Sequence, residues 1–82
     1  MLTPLQWQSM TIRSSEPQDE RDLKRLAQLD SARPLRGAAL IAETDGAPLA
    51  AVEVTSGRAI ADPFKPTAKL VDLLRVRAAQ LR

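Results

Sequence analysis

The alternation of apolar and polar residues predicts six elements in the order β-α-β-β-β-α. Short runs rich in alanine, leucine and β-branched residues predict strands at residues 10–13, 38–44, 47–55 and 58–61. Apolar residues at helical spacing predict a first helix that begins at Pro17 and ends near residues 31–33. A second helix is predicted from a cap at Thr67 to the end of the sequence.

Turn motifs between these runs indicate how the strands pair. Asp45-Gly46 is a strong hairpin signal, and Ser56-Gly57 marks the next turn. Pro48 predicts an edge or strand-start position, because proline cannot donate a hydrogen bond to a neighbouring strand. Asp62 is expected to order a turn through its side chain. We therefore expect an α+β fold, a mainly antiparallel four-stranded sheet with two helices packed on it.

The length of 82 residues predicts one domain, over residues 10–82. Residues 1–9, which include Pro4 and Trp7, are predicted to form a loose N-terminal extension. A domain of this size buries roughly 60–65% of its unfolded surface, which leaves it marginally stable. The chain has no cysteine for a disulfide, so we expect association with a second copy to add stability.

The composition removes much of the chemistry open to a small protein. The chain has no histidine, cysteine or tyrosine. The best zinc ligands and the residues of common catalytic triads are therefore missing, and no metal site is predicted. No apolar run is long enough to cross a membrane, and no secretory signal is recognisable. With no cysteines, we expect a cytoplasmic protein.

The net charge of +2 reflects a basic final segment. Residues 65–82 contain one acidic residue, Asp72, and five basic residues, which are Lys65, Lys69, Arg75, Arg77 and Arg82. Cations are favourable near the C-terminal end of a helix, and no aromatic residue lies among them to stack on a base. We therefore do not predict nucleic-acid binding.

Several runs resemble the N-terminal half of the GNAT acetyltransferase fold. They are Thr11-Ile12-Arg13, the proline-opened acidic helix, Leu40-Ile41-Ala42-Glu43, and Pro48-Leu49-Ala50-Ala51-Val52 after the Asp45-Gly46 turn. The runs at residues 29–35 and 61–64 are similar to those of small truncated actinobacterial GNAT-like proteins. The resemblance covers about residues 11–82. It implies a half-GNAT fold and, for an enzyme, an acyl-CoA-dependent N-acetyltransferase.

The chain departs from the family where the cofactor binds. GNAT proteins hold the acetyl-CoA pyrophosphate on backbone amides of a glycine-rich loop at a helix start. Residues 64–69 stand at that place here and contain no glycine, while Pro66 has no amide to donate. The second half of the fold and the family's tyrosine acid are also missing. We therefore predict no catalytic residue and no cofactor, since acetyl-CoA would lack its pyrophosphate loop.

Three groups of residues remain as candidate sites. Lys65, Thr67 and Lys69 could hold a phosphate, because the helix dipole and the two cations agree in sign. Glu43 and Glu53 lie on neighbouring strands and are either a general base or, more commonly for such residues, solvated strand ends. No partner is identifiable for Arg13 or Arg36. We expect a dimer to form through extension of the sheet, through a helical stripe at Val71, Leu74, Ala78 and Leu81, or through both.

These observations favour a truncated, non-catalytic acetyltransferase-like domain that acts as a dimeric interaction or assembly module. Two alternatives stay open. The first is a binding module for CoA or another phosphorylated ligand. The second is an acetyltransferase whose active site is assembled from two chains, which rests on the resemblance alone.

Overall fold

The computed structural model describes residues 10–82, and the predicted extension at residues 1–9 lies outside the described residues. In chain order the elements are β1 (Met10–Ser14), a 3-10 turn (Pro17–Asp19), α1 (Glu20–Leu29), β2 (Ala39–Thr44), β3 (Ala47–Glu53), β4 (Ala59–Ala61) and α2 (Ala68–Gln80). The predicted α+β order is confirmed. Between Met10 and Arg82, neither helix is long and apolar enough to cross a membrane.

The four strands form one antiparallel sheet in the order β1-β2-β3-β4. The turn between β2 and β3 places Asp45 and Gly46 at φ values of 52° and 80°. Two successive positive φ values are typical of the type I′ turn, whose twist matches that of the strands it joins. Pro48 lies at the start of β3, before the residues that pair with β4, and opposite Glu43 of β2 beside a register shift between Ala42 and Glu43.

The two helices cover opposite faces of the sheet. Side chains alternate along β2 and β3, so Leu40 and Val52 face α2, whereas Ile41 and Ala51 face α1. Because both faces are covered, the central residues of these strands are buried and almost wholly apolar. Six of the thirteen buried apolar residues are alanines, which lets the helices approach closely but leaves a thin core.

The first helix packs over β3 and β4 through Leu26 and Ala27, with Leu23 partly buried. Leu29, the last residue of the helix, is exposed. The chain then turns through Ser31 at φ 50°, and the Ala32 N–H donates to the Ala27 carbonyl. Ser31 therefore adopts, just after α1, the left-handed backbone conformation that glycine most often supplies at the end of a helix.

Two of the residues predicted for a dimer interface lie in the core of the single chain. Leu74 and Ala78 are fully buried against the sheet of the same chain, and Val71 is partly buried there. Of the four predicted interface residues, Leu81 is the one that is exposed. The predicted stripe is therefore largely the face that attaches α2 to its own sheet. The exposed large apolar residues of the helix itself are Leu73 and Val76.

Candidate functional site

The predicted ligand-binding residues Lys65, Thr67 and Lys69 lie around the beginning of α2. The Phe64 N–H donates to Asp62 Oδ1 at 2.8 Å, which confirms the side-chain turn expected before the helix. Thr67 lies at the predicted N-cap position of α2, but its side chain makes no capping hydrogen bond. Thr67 is buried, whereas both lysines stand in solvent. The three residues are neighbours in the chain, but the threonine does not share the exposed surface of the two lysines.

A larger polar cluster joins β1, β2 and the start of α1. The Arg13 guanidinium donates to both carboxylate oxygens of Asp19, from Nη1 at 2.8 Å and from Nη2 at 2.7 Å. Its Nε donates to Glu43 Oε1 at 2.9 Å. Arg13, for which no partner was identified from the sequence, is therefore held by two carboxylates. These ion pairs occupy Glu43, one of the two carboxylates considered as a general base.

The electrostatics of this cluster follow from its hydrogen bonds. The Arg13 guanidinium and the Glu16 N–H both donate to Asp19, and they lower the pKa of this carboxyl to about 2. The carboxylates of Asp19 and Glu43 in turn raise the pKa of Arg13. Asp19 thus stays ionised at neutral pH, and both Asp19 and Glu43 accept hydrogen bonds from Arg13. A general base would need a carboxylate that is free to take a proton, whereas Glu43 is held by Arg13.

Glu53 is structural as well. It is only 8% exposed, so the expectation of a solvated strand end is wrong for this residue. Its Oε2 accepts from the Arg36 N–H at 2.7 Å, and its Oε1 accepts from the Ser56 hydroxyl. These hydrogen bonds lower the pKa of Glu53 despite its burial. The carboxylate fixes the loop before β2 to the turn between β3 and β4.

A shallow groove of about 430 Å³ lies between the start of α1 and the loop that precedes β2. Pro17, Leu23 and Leu35 supply apolar walls, and Glu20 and Lys24 stand at its side. These two charges pair with each other at 3.4 Å. The groove is open to solvent and contains none of the residues predicted to bind a ligand.

Within residues 10–82, no three acidic side chains come together in a way that could hold a metal ion. Comparisons of the chain with protein-family models, curated proteins and solved structures found no match. The interpretation of the site therefore rests on its own geometry.

Exposed apolar side chains are the remaining candidates for function. Phe64, in the loop before α2, is 80% exposed. Val76 and Leu81 are 57% and 60% exposed, and Leu73 is 40% exposed. Leu73 and Val76 are three residues apart on α2 and so are neighbours on its outer surface. We call Leu73 and Val76 the outer face of α2.

Proposed function

We propose that this chain is a truncated acetyltransferase-like domain that acts as a non-catalytic interaction module and works as a homodimer. The observation that carries the proposal is the distribution of apolar residues on α2. One side of the helix is buried on the sheet through Leu70, Leu74 and Ala78. The outer face presents further apolar residues to solvent, which is typical of a helix that meets a partner.

The family assignment is supported by the residues of the resemblance and is compatible with the topology. A strand and an acidic helix precede an antiparallel meander, and the closing helix follows β4 on the other face of the sheet. Where the family's phosphate loop would be, Pro66 replaces an amide and no glycine is present. Backbone donors for an acetyl-CoA pyrophosphate are thereby reduced, which supports a role without this cofactor.

The non-catalytic role is supported by how the candidate carboxylates are used. Glu43 pairs with Arg13, Glu53 holds Arg36 and Ser56, and Asp62 accepts from the Phe64 amide. Each of these side chains stabilises a turn or a strand junction. Freeing these carboxylates for catalysis would require breaking those hydrogen bonds, each of which contributes about 1 kcal/mol or more.

The choice of a second copy as partner follows from the core. The large side chains that are fully buried are Ile41, Ile60, Leu74 and Val52. Small domains with so little large apolar volume commonly gain stability from oligomerisation when they have no disulfide or metal. A dimer that covers Leu73 and Val76 would add buried apolar area at about 25 cal/mol per Å².

Sheet extension through β4 is the less favoured way to form this dimer. The strand has only three residues, and the Ala61 N–H, which does not bond to β3, already donates to Asp30 Oδ2 at 3.1 Å. A second copy adding to this edge would have to displace Asp30. We therefore place the proposed dimer contact on the outer face of α2 and not on β4.

The test of the non-catalytic role is a calorimetric titration with dephospho-acetyl-CoA, which keeps the acetylated pantetheine arm and the pyrophosphate but has no phosphate monoester, repeated at a second temperature to exclude a vanishing enthalpy. We expect no binding heat at millimolar concentrations of this ligand and no release of the free thiol in the presence of amine acceptors. Saturable binding with one ligand per chain or per two chains, followed by turnover, would contradict the proposal and favour an acetyltransferase.

A further inference from the structure

Two arginines of the C-terminal segment meet at the turn between β3 and β4. Arg75 Nε donates to the Gly57 carbonyl at 2.9 Å, and Arg82 Nε donates to the Val54 carbonyl at 2.7 Å. A Cβ placed on Gly57 would lie 3.2 Å from Arg82 Nη2. Both guanidinium groups therefore contact the same glycine from the α2 side of the turn.

Neither Arg75 nor Arg82 forms an ion pair with a side chain of the described part of the chain. Across residues 10–82 the ion pairs involve Arg13 and Lys24, and no carboxylate lies within salt-bridge distance of Arg75 or Arg82. The nearest acidic group of the turn is Glu53, which is buried and already engaged by Ser56 and Arg36. Arg36 and Arg58 also act on Glu53 electrostatically and lower its pKa, so they offset its charge.

The hydrogen bonds of Arg75 and Arg82 also fix the two side chains. Each Nε is bound to a backbone carbonyl, which holds the guanidinium plane in place while its terminal Nη groups remain donors. The rotamer entropy of two long side chains is thus lost on folding and need not be lost on binding a ligand. Oriented guanidinium groups are donors that match the oxygens of a phosphate well.

We propose that Arg75 and Arg82, gathered at Gly57, form a binding site for a phosphate monoester group of a small molecule. Two cations match the dianionic charge of a phosphate monoester. A phosphodiester carries a single charge, so the same geometry does not favour a nucleic-acid backbone. This site lies at the C-terminal end of α2, at the opposite end of the helix from Lys65 and Lys69. It does not depend on the proposed dimer.

The experiment is a titration of the ¹⁵N-labelled protein with inorganic phosphate, followed by amide chemical shifts. Ionic strength is held constant with sodium chloride, so that general screening does not change along the titration. We expect saturable shifts centred on Ser56, Gly57 and Arg58. Non-saturating shifts, or shifts centred on residues 65–69, would overturn the proposal even without any variant.

A pair of double variants gives the second arm. R75Q/R82Q is expected to weaken phosphate binding at least about tenfold, because it removes both charge-assisted donors. K65Q/K69Q removes the same charge from the other end of α2 and is expected to bind like the unaltered protein. Loss of binding in K65Q/K69Q, with R75Q/R82Q unaffected, would assign phosphate to the start of α2 instead. Binding of a single-stranded oligonucleotide more tightly than phosphate, lost in R75Q/R82Q, would also contradict the monoester assignment.

Discussion

Arg13 and Asp19 form a two-point ion pair, with Nη1 to Oδ2 at 2.8 Å and Nη2 to Oδ1 at 2.7 Å. The pair ties the end of β1 to the turn that opens α1. Asp19 Oδ2 also accepts from the Glu16 N–H, so one buried carboxylate orders both the ion pair and the turn. Replacing it should therefore affect folding more than replacing an exposed acidic residue nearby.

Asp19→Asn should lower the free energy of unfolding by about 1.5–3 kcal/mol, the range for hydrogen bonds to charged groups. The amide retains the shape of the side chain but cannot accept two bonds from Arg13 as a carboxylate does. Urea denaturation at neutral pH measures the change. Asp22→Asn, at an exposed position of α1, is the control and should be nearly silent. Equal effects of the two substitutions would contradict this role of Asp19.

Stability should fall in acid because of the same carboxyl. The pKa of Asp19 is lowered to about 2 in the folded chain, and that of Glu53 is lowered as well. The unfolded chain therefore takes up protons at a higher pH than the folded chain does. The contribution of these two carboxylates to the free energy of unfolding should be complete above about pH 5 and should be lost as the pH falls toward about 2. Urea midpoints across this range measure it, and D19N should show a flatter profile than the unaltered protein.

Gly46→Ala should lower the free energy of unfolding by about 1 kcal/mol, the usual cost of a left-handed conformation for a residue with a Cβ. Gly46 has φ of 80°, and an added Cβ would meet no atom within 4 Å. The cost is thus one of backbone conformation and not of a clash. Asp45→Asn is the control, because asparagine tolerates φ of 52° at this turn. A silent Gly46→Ala would show that the hairpin adopts another turn in solution.

Asp30→Ala should expose the edge of the sheet. Asp30 Oδ2 accepts from the Ala61 N–H at 3.1 Å, and this bond takes the place of a further strand beside β4. Without it, the Ala61 amide should exchange with solvent faster, which hydrogen exchange followed by NMR can measure. The Ile60 residue, paired with Ala51 inside the sheet, serves as an internal reference. Unchanged exchange at Ala61 would contradict the protective role of Asp30.

The fold was predictable because its signals are local. Proline at a helix start, Asp45-Gly46 between apolar runs and the alternation of side chains each act over a few residues. Every predicted strand has its boundaries within two residues of the observed one. The stripe on α2 was also visible, but its role was not. Whether Leu74 and Ala78 meet their own sheet or a partner depends on the tertiary packing of the helix.

The polar contacts could not be predicted from the sequence, because they too depend on tertiary packing. Arg13 and Glu43 are 30 residues apart and meet only because Thr11 pairs with Glu43 in the β1–β2 register. Glu53 is buried because a distant backbone amide, that of Arg36, reaches it. The sequence indicates Arg75 and Arg82 only as members of a basic segment. Their meeting at Gly57 depends on how α2 crosses the sheet.

The proposed dimer contact on the outer face of α2 can be separated from folding with charged variants. Leu73 and Val76 are exposed, so L73E/V76E should leave the single-chain core intact. R25Q/Q28E produces the same change of net charge at exposed positions of α1 and is the matched control. Circular dichroism should show that both variants are folded.

Sedimentation velocity of the unaltered protein over a micromolar concentration series, beside these two variants, tests the dimeric module most directly. We expect the unaltered protein and R25Q/Q28E to sediment as dimers, and L73E/V76E to sediment as a folded monomer. A monomer for the unaltered protein throughout the series would contradict the account. A dimer that persists in L73E/V76E would contradict the placement of its contact on α2.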